Sequence, residues 1–219
     1  MRTRIQFIED AHVGLRVGAF PKKYRDAETG VAYPLNKTQK FIHKQLDKAL
    51  ALADEPADER ILVCMGDHVH GPGSEYAAEM VTTHAKTQAD AFLALVGPLA
   101  ARYDSIYVID DASEHHVDGA LFSNDYIAQE LGAFGKRAYI KMELRVQGLR
   151  ILLQHHGPSL GTRPHTRGDP VRRYLRDMHY EALLAPLSQA KYHCFSVSAS
   201  PLVSTGSLVT PSGRHPGNH

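Results

Sequence analysis

The sequence predicts an α/β protein in which layered, mixed β-sheets are flanked by helices. Apolar runs of strand length alternate along the chain with segments whose apolar residues recur at helical spacing, which is the pattern of layered α/β folds. Residues 61–65 are continuously apolar, as in a strand that is covered on both faces. This strand and several others end in carboxylates or histidines, at the edge of the sheet where α/β folds bind ligands.

Length and composition limit the classes to which this protein can belong. The 219 residues suffice for one domain with a sizeable core. The net charge of +1 gives no global argument for a nucleic-acid, membrane or acidic partner. Neither a signal peptide nor a membrane-spanning run is recognisable. Cys64 and Cys194 lie in apolar runs and are expected to be buried free thiols, which suits the cytoplasm. Histidine is unusually frequent, with 14 residues, whereas tryptophan is absent. Histidine is the commonest metal ligand and can also act as a general acid or base.

The first strand is predicted at residues 4–9 and ends at Asp10 and His12. An Asp-x-His pair beyond a strand can present an oxygen and a nitrogen to one metal ion, whereas the alternative is a solvated turn. A long loop then covers residues 18–35. Asn36 and Gln39 form a capping-box pattern at the start of a helix. An acidic connector, residues 51–60, leads into the central strand.

The central strand delivers Asp67, His68 and His70 in quick succession. Glycine and proline at positions 71–73 then predict a turn. Ser74 is expected to cap a second helix that runs to about residue 95. His84 and Gln88 lie one turn apart on this helix and are assigned to the surface or to a contact between the helix and a loop.

A further strand is predicted at residues 105–109 and opens into the densest group of ligand-type side chains in the sequence. Burying so many carboxylates and imidazoles is costly without a cation or protons, and the alternative is a solvated acidic loop. The group comprises Asp110, Asp111, Glu114, His115 and His116. A short helix is expected at residues 124–131.

Residues 138–146 and 149–154 predict a hairpin, and its second strand ends at His155 and His156. Arg163 and Arg167 follow in a basic loop that can bind phosphate, although a basic surface helix is the alternative. A helix start is predicted at residues 169–170 and a last strand at residues 192–197. Serine, threonine, proline and glycine dominate beyond position 191. We therefore predict a domain at residues 1–191 and an atypical, poorly ordered tail at residues 192–219.

The ordered motifs resemble those of the calcineurin-like metallophosphoesterase superfamily. That family carries D-x-H, G-D-x-x-D, G-N-H, a histidine near a strand end, and H-x-H. Residues 10–12, 66–67, 114–116 and 155–157 match the first four in order. Three sequence segments resemble small phosphoesterases of phages and prophages, namely DAHVG, PLN followed by Gln39, and ILLQHHGP. The resemblance covers residues 4–160 and implies an αββα sandwich.

The resemblance also implies a site for two divalent metal ions, with Mn, Fe, Zn and Ni left open. Asp10 and His12 would hold the first ion, and Asp67 would bridge both. His155 would hold the second ion, with His156 as the alternative. The implied general acid is His116, or His115 in a register one residue shorter.

The sequence departs from the family pattern at three places. His70 replaces the second Asp of G-D-x-x-D. The Asn of G-N-H is missing, and Ser113 or Glu114 is its expected substitute, with Glu114 the better cation ligand. The final H-x-H is absent from residues 195–198. The fold is therefore expected to be incomplete at its C-terminal end, through a frameshift or truncation near Lys191.

The expected function is metal-dependent hydrolysis of a phosphodiester or phosphomonoester by a two-metal mechanism, with nucleic acid or a nucleotide as the favoured substrate. The resemblance to phage and prophage proteins implies a location in the cytoplasm of an infected or prophage-bearing bacterium. One alternative is a phosphoesterase fold that has lost turnover and acts as a binding or structural protein. Another is a histidine-rich metal-binding protein of a different fold. The oligomeric state stays open.

Overall fold

The computed structural model describes residues 2–27, 29–72, 78–110, 117–118, 121–156 and 192–193. These residues form a mixed α/β fold with parallel and antiparallel strands, which confirms the predicted α/β class. The strands are β1 (Thr3–Glu9), β2 (Tyr24–Arg25), β3 (Ala32–Tyr33), β4 (Glu59–Met65), β5 (Ser105–Ile109), β6 (Val117–Asp118), β7 (Leu121–Phe122), β8 (Met142–Val146), β9 (Leu149–Leu153) and β10 (Tyr192–His193). The helices are α1 (Lys37–Ala53), α2 (Ala85–Ala100) and α3 (Ser123–Glu130), with a 3₁₀ turn at Phe134–Lys136.

The main sheet has the order β1-β4-β5, and all three strands are parallel. β4 lies in the middle with both edges paired, and both its faces are buried, since Leu62, Val63 and Cys64 are each 0% exposed. Successive side chains of a strand point to opposite faces. Leu62 and Cys64 therefore enter one apolar cluster, whereas Ile61 and Val63 enter another. The prediction of a central strand buried on both faces is confirmed.

A second sheet, of order β10-β9-β8, covers one face of the main sheet. β8 and β9 form the predicted antiparallel hairpin around Gln147 and Gly148. β10 pairs in parallel with β9, so the predicted last strand is present over residues 192–193, while residues 194–219 lie outside the description. The core between the two sheets consists of Ile5, Ile61, Val63, Ile109, Leu144, Val146, Ile151 and Leu153.

Helices cover the opposite face of the main sheet. Ile42 and Leu46 of α1, Phe92 and Val96 of α2, and Ile127 of α3 share one cluster with the β4 residues on that side. The capping box of α1 is confirmed: Asn36 accepts from the Gln39 backbone N–H at 2.9 Å, and the Gln39 side chain accepts from the Asn36 N–H at 3.1 Å. The fold thus has a layer of helices and two layers of sheet.

Ser74, the predicted start of the second helix, lies outside the described residues, and the described helix α2 begins only at Ala85, after His84. The reason lies in residues 79–81, whose backbone pairs with the loop after β1. The Arg16 N–H donates to the Glu79 carbonyl at 2.8 Å, and the Val81 N–H donates to the Gly14 carbonyl at 2.6 Å. A backbone engaged in this way cannot also form helical hydrogen bonds.

Two further boundaries differ from the prediction. α2 extends beyond residue 95 to Ala100, with Pro98 in its last turn. The first hairpin strand begins at Met142 rather than at residue 138, because the chain around Tyr139 pairs with β5 instead. The Tyr139 N–H donates to the Val108 carbonyl at 3.0 Å, and the Asp110 N–H donates to the Tyr139 carbonyl at 2.9 Å.

Cys64 is a buried free thiol, as predicted, and burial raises the pKa of this thiol to about 12. Cys194 lies outside the described residues. Among the described helices, none has both the length and the apolar character needed to cross a bilayer.

Candidate metal site

Two loops at the carboxyl edge of the main sheet fit against each other. They follow the parallel strands β1 and β4, so both loops leave the sheet at the same end. The His12 N–H donates to the Asp67 carbonyl at 2.8 Å, and the Val13 N–H donates to the His68 carbonyl at 3.1 Å. Val13 and Val69 form an isolated parallel bridge. This pairing brings the Asp-x-His and Gly-Asp motifs side by side.

The backbone of both loops is left-handed at the residues that carry the chemistry. Asp10 has φ 49°, His12 has φ 41° and Asp67 has φ 42°. Non-glycine residues rarely adopt this region, and when they do the strain is commonly found at functional sites. Lys23, Lys136 and Gln147 share this backbone region elsewhere, so three of the six described non-glycine residues with positive φ lie at the motifs.

Gly66 gives His155 the room to reach this edge. His155 follows β9 of the second sheet and packs its ring against the Gly66 backbone. A Cβ atom at position 66 would lie 2.5 Å from Nδ1 and 2.7 Å from Cδ2 of the His155 imidazole. Gly66 also has φ +59°, so glycine is required here both for the backbone and for the approach of the ring.

The ligand atoms of Asp10, Asp67 and His155 all lie within 4.8 Å of one another. His155 Nε2 is 3.2 Å from Asp67 Oδ2 and 3.9 Å from Asp10 Oδ1. His12 Nε2 lies 3.5 Å from the same Asp67 oxygen. Two carboxylates and two imidazoles from three separate segments thus converge, and Asp67 stands between the two histidines.

The site buries polar atoms that a cation would satisfy. The Asp10 side chain is only 8% exposed, and its Oδ2 has no hydrogen-bond partner among the described residues. His12 presents its Nε2 to Asp67 at 3.5 Å, and its other ring nitrogen, Nδ1, is buried with no hydrogen-bond partner in the described ranges. Burial raises the pKa of the Asp10 carboxyl, and the neighbouring His155 opposes this shift. A mixed oxygen and nitrogen donor set of this kind suits a divalent transition metal.

A buried hydrogen-bond chain lies behind this edge, and the sequence patterns had not indicated it. The His68 side chain is 1% exposed, and its Nδ1 donates to Asn124 Oδ1 at 2.8 Å. Asn124 Nδ2 in turn donates to Asp110 Oδ1 at 2.6 Å. The chain ties the loop after β4 to α3 and to the end of β5. Asn124 stands at a predicted helix start, but no sequence signal indicates its contact with His68.

Gln88 fixes the turn that follows His70. It is 0% exposed, and its Oε1 accepts from the backbone N–H groups of His70 and Gly71 at 3.1 and 2.8 Å. Its Nε2 donates to the carbonyls of Gly71 and Thr82. Of the two assignments that the sequence left open for Gln88, the contact between helix and loop is therefore correct.

Other predicted site residues have different outcomes. His156 packs its ring against His155 with centroids 4.4 Å apart, but the described metal-ligand cluster contains His155 and not His156. His70, at the position of the second family Asp, lies near His12 with ring centroids 5.7 Å apart. Several further candidates fall outside the described residues, namely Asp111, Ser113, Glu114, His115, His116, Arg163 and Arg167.

The sequence matches no protein-family model, and no curated protein is found as a relative. The function of this site is therefore inferred from its geometry and from the chemistry of its side chains.

Replacing Asp10 by asparagine is expected to stabilise the metal-free protein by about 1 kcal/mol, because it removes a buried carboxylate whose Oδ2 is unsatisfied. The folded-state pKa of Asp10 is raised above its ordinary value of 3.8, so wild type loses stability as the pH rises through the folded value. The gain should therefore be present at neutral pH and vanish below pH 3.8. Urea unfolding in EDTA across this pH range measures it.

The matched control is Asp54→Asn, since Asp54 is 63% exposed and pairs with Arg102 at the surface. It should change the free energy of unfolding by less than about 1 kcal/mol at any pH. An Asp10→Asn protein that is less stable than wild type at neutral pH in EDTA would contradict the burial argument.

Proposed function

We propose that this protein is a metal-dependent phosphoesterase whose site is built from Asp10, His12, Asp67 and His155. The observation that carries the proposal is the position of Asp67. Its Oδ2 is the shared neighbour of His12 Nε2 and His155 Nε2, at 3.5 and 3.2 Å. A carboxylate within reach of two imidazoles from different segments of the chain is suited to bridge two cations.

The side chains divide into two half-sites around Asp67. Asp10 and His12 come from the loop after β1, and His155 comes from the end of β9. Two divalent ions bound here would supply Lewis acids for the phosphoryl oxygens and a water of lowered pKa. The role of Asp67 is to hold the two half-sites together by offsetting the repulsion between like charges.

The fold agrees with this proposal in its coarse features. A layer of helices covers one sheet, and a second sheet covers the other face of that sheet, as expected for part of an αββα sandwich. The site lies at the carboxyl ends of β1 and β4, where α/β folds bind ligands. The general acid stays a proposal from the resemblance: His116, with His115 as its alternative.

Hydrolysis of a chromogenic phosphodiester and of a phosphomonoester tests the function. We expect turnover that depends on added Mn²⁺, Fe²⁺, Zn²⁺ or Ni²⁺ and that disappears in EDTA. Elemental analysis of the same preparation measures whether metal is bound. Bound metal without hydrolysis of either substrate would support the rival function, a phosphoesterase fold that only binds. No bound metal and no hydrolysis would contradict both.

A further inference from the structure

A second feature of the structure is a large open pocket between the β2–β3 hairpin and α1. Its volume is about 1060 Å³, and none of the proposed metal ligands lines it. His43 lines the pocket, and its ring is fixed by a hydrogen bond that Nε2 donates to the Phe20 carbonyl at 2.6 Å. Sites for single small molecules occupy roughly 300–1,000 Å³, so this pocket lies at the upper end of that range.

The pocket is strongly basic although the chain as a whole is nearly neutral. Its charged lining residues are Lys22, Lys23, Arg25, Lys40, Lys44 and Asp47. The single carboxylate pairs with Lys22 at 3.6 Å, and both side chains are more than half exposed. Against a net charge of +1 for all 219 residues, five cations facing one acid concentrate positive potential at this pocket and favour an extended anion.

Two tyrosines lie between the cations. Tyr24 and Tyr33 line the pocket with rings stacked at 6.3 Å and an interplanar angle of 29°. Phe20 supports both rings edge-on from below, with centroids 5.5 Å away. Burial, followed by the charges of Asp90 and Asp26, raises the pKa of Tyr24 to about 12, so its hydroxyl stays uncharged at neutral pH. The tyrosines therefore offer flat apolar surface without adding negative charge.

We propose that this pocket binds single-stranded nucleic acid, with phosphates on the lysines and bases against the tyrosine rings. Cationic grooves that carry aromatic side chains bind single strands in this way, because every base has a face that can stack. A duplex keeps its bases stacked on one another and offers the tyrosines no free face. The proposal does not depend on phosphoesterase activity, since the pocket shares no residue with the metal site.

Fluorescence anisotropy with a labelled oligo(dT) of about 12 nucleotides tests the proposal. EDTA is present throughout, so hydrolysis cannot influence the result. Lys40→Gln/Lys44→Gln removes two pocket cations that lie one turn apart on α1. The matched control, Lys37→Gln/Lys48→Gln, removes two exposed charges of the same helix that do not line the pocket.

The slope of log K against log salt changes by roughly 0.7 for each phosphate contact on a single strand. Lys40→Gln/Lys44→Gln should therefore lower the slope by about 1.4, while the control leaves it at the wild-type value. Tyr33→Leu should weaken binding at least about 5-fold, the smallest effect expected for one stacked base. Tyr33→Phe, which keeps the ring, should retain wild-type affinity.

Several results would overturn the proposal. One is the absence of oligo(dT) binding at low salt, and another is an equal effect of the two double-lysine variants. Tyr33→Leu binding as tightly as Tyr33→Phe would show that no base stacks there. Displacement of the oligonucleotide by polyglutamate as readily as by unlabelled oligo(dT) would show that the pocket does not select nucleic acid. Equal affinity for duplex DNA would contradict selection of single strands.

Discussion

Gly66→Ala is expected to remove the metal ion held by His155, because the new methyl group occupies the space of the His155 ring. The added Cβ atom would lie 2.5 Å from His155 Nδ1, so the imidazole must leave the site. The left-handed backbone at φ +59° also destabilises the folded variant by about 1–2 kcal/mol, because an L-residue is strained there. We expect Mn²⁺ to raise the melting temperature of the wild type, and to raise that of this variant clearly less.

Gly132→Ala separates the two effects. Gly132 has φ +63°, nearly that of Gly66, but nothing lies within 4 Å of a Cβ atom there. This control should carry the same backbone strain of about 1–2 kcal/mol and keep the full response to Mn²⁺. At a metal concentration of about 100 times the dissociation constant, that response corresponds to about 2.7 kcal/mol. Equal Mn²⁺ responses of Gly66→Ala and wild type would contradict the placement of His155.

Asp67→Asn is expected to reduce metal-dependent phosphodiester hydrolysis at least about 100-fold. Even the hydrogen-bond partners of metal ligands cost about 10–100-fold when they are replaced, and Asp67 is proposed to contact both ions directly. The amide keeps the size of the side chain but removes the negative charge that offsets two cations. Steady-state hydrolysis in the presence of each candidate metal measures the loss.

Asp54→Asn serves as the control with the same change of chemistry at an exposed position outside the site. It should hydrolyse the phosphodiester at the wild-type rate. If Asp67→Asn retained wild-type hydrolysis and metal content, Asp67 could not be the bridging ligand, and the proposed function would need a different site.

Much of the main sheet could be predicted because its signals are local. The continuous apolar run of β4 specifies a strand that is covered on both faces, and the capping box specifies the start of α1 at Asn36. The convergence of Asp10, Asp67 and His155 could be predicted because all three follow strand ends, where loops meet. Their roles as metal ligands stay predictions.

The contacts that the sequence did not reveal depend on tertiary partners. α2 begins at Ala85 because residues 79–81 pair with the loop after β1. No local sequence pattern predicts that pairing. The hydrogen-bond chain through Asn124 joins residues that are 56 positions apart. The same holds for the basic pocket, since Lys40 and Lys44 of α1 meet the tyrosines of β2 and β3 only in the folded chain.

Anomalous X-ray diffraction from crystals grown with Mn²⁺ would locate the metal itself. We expect two manganese peaks that share Asp67, one bound by Asp10 and His12 and the other by His155. Crystals that contain manganese elsewhere but show no peak at these residues would contradict the proposed two-metal site.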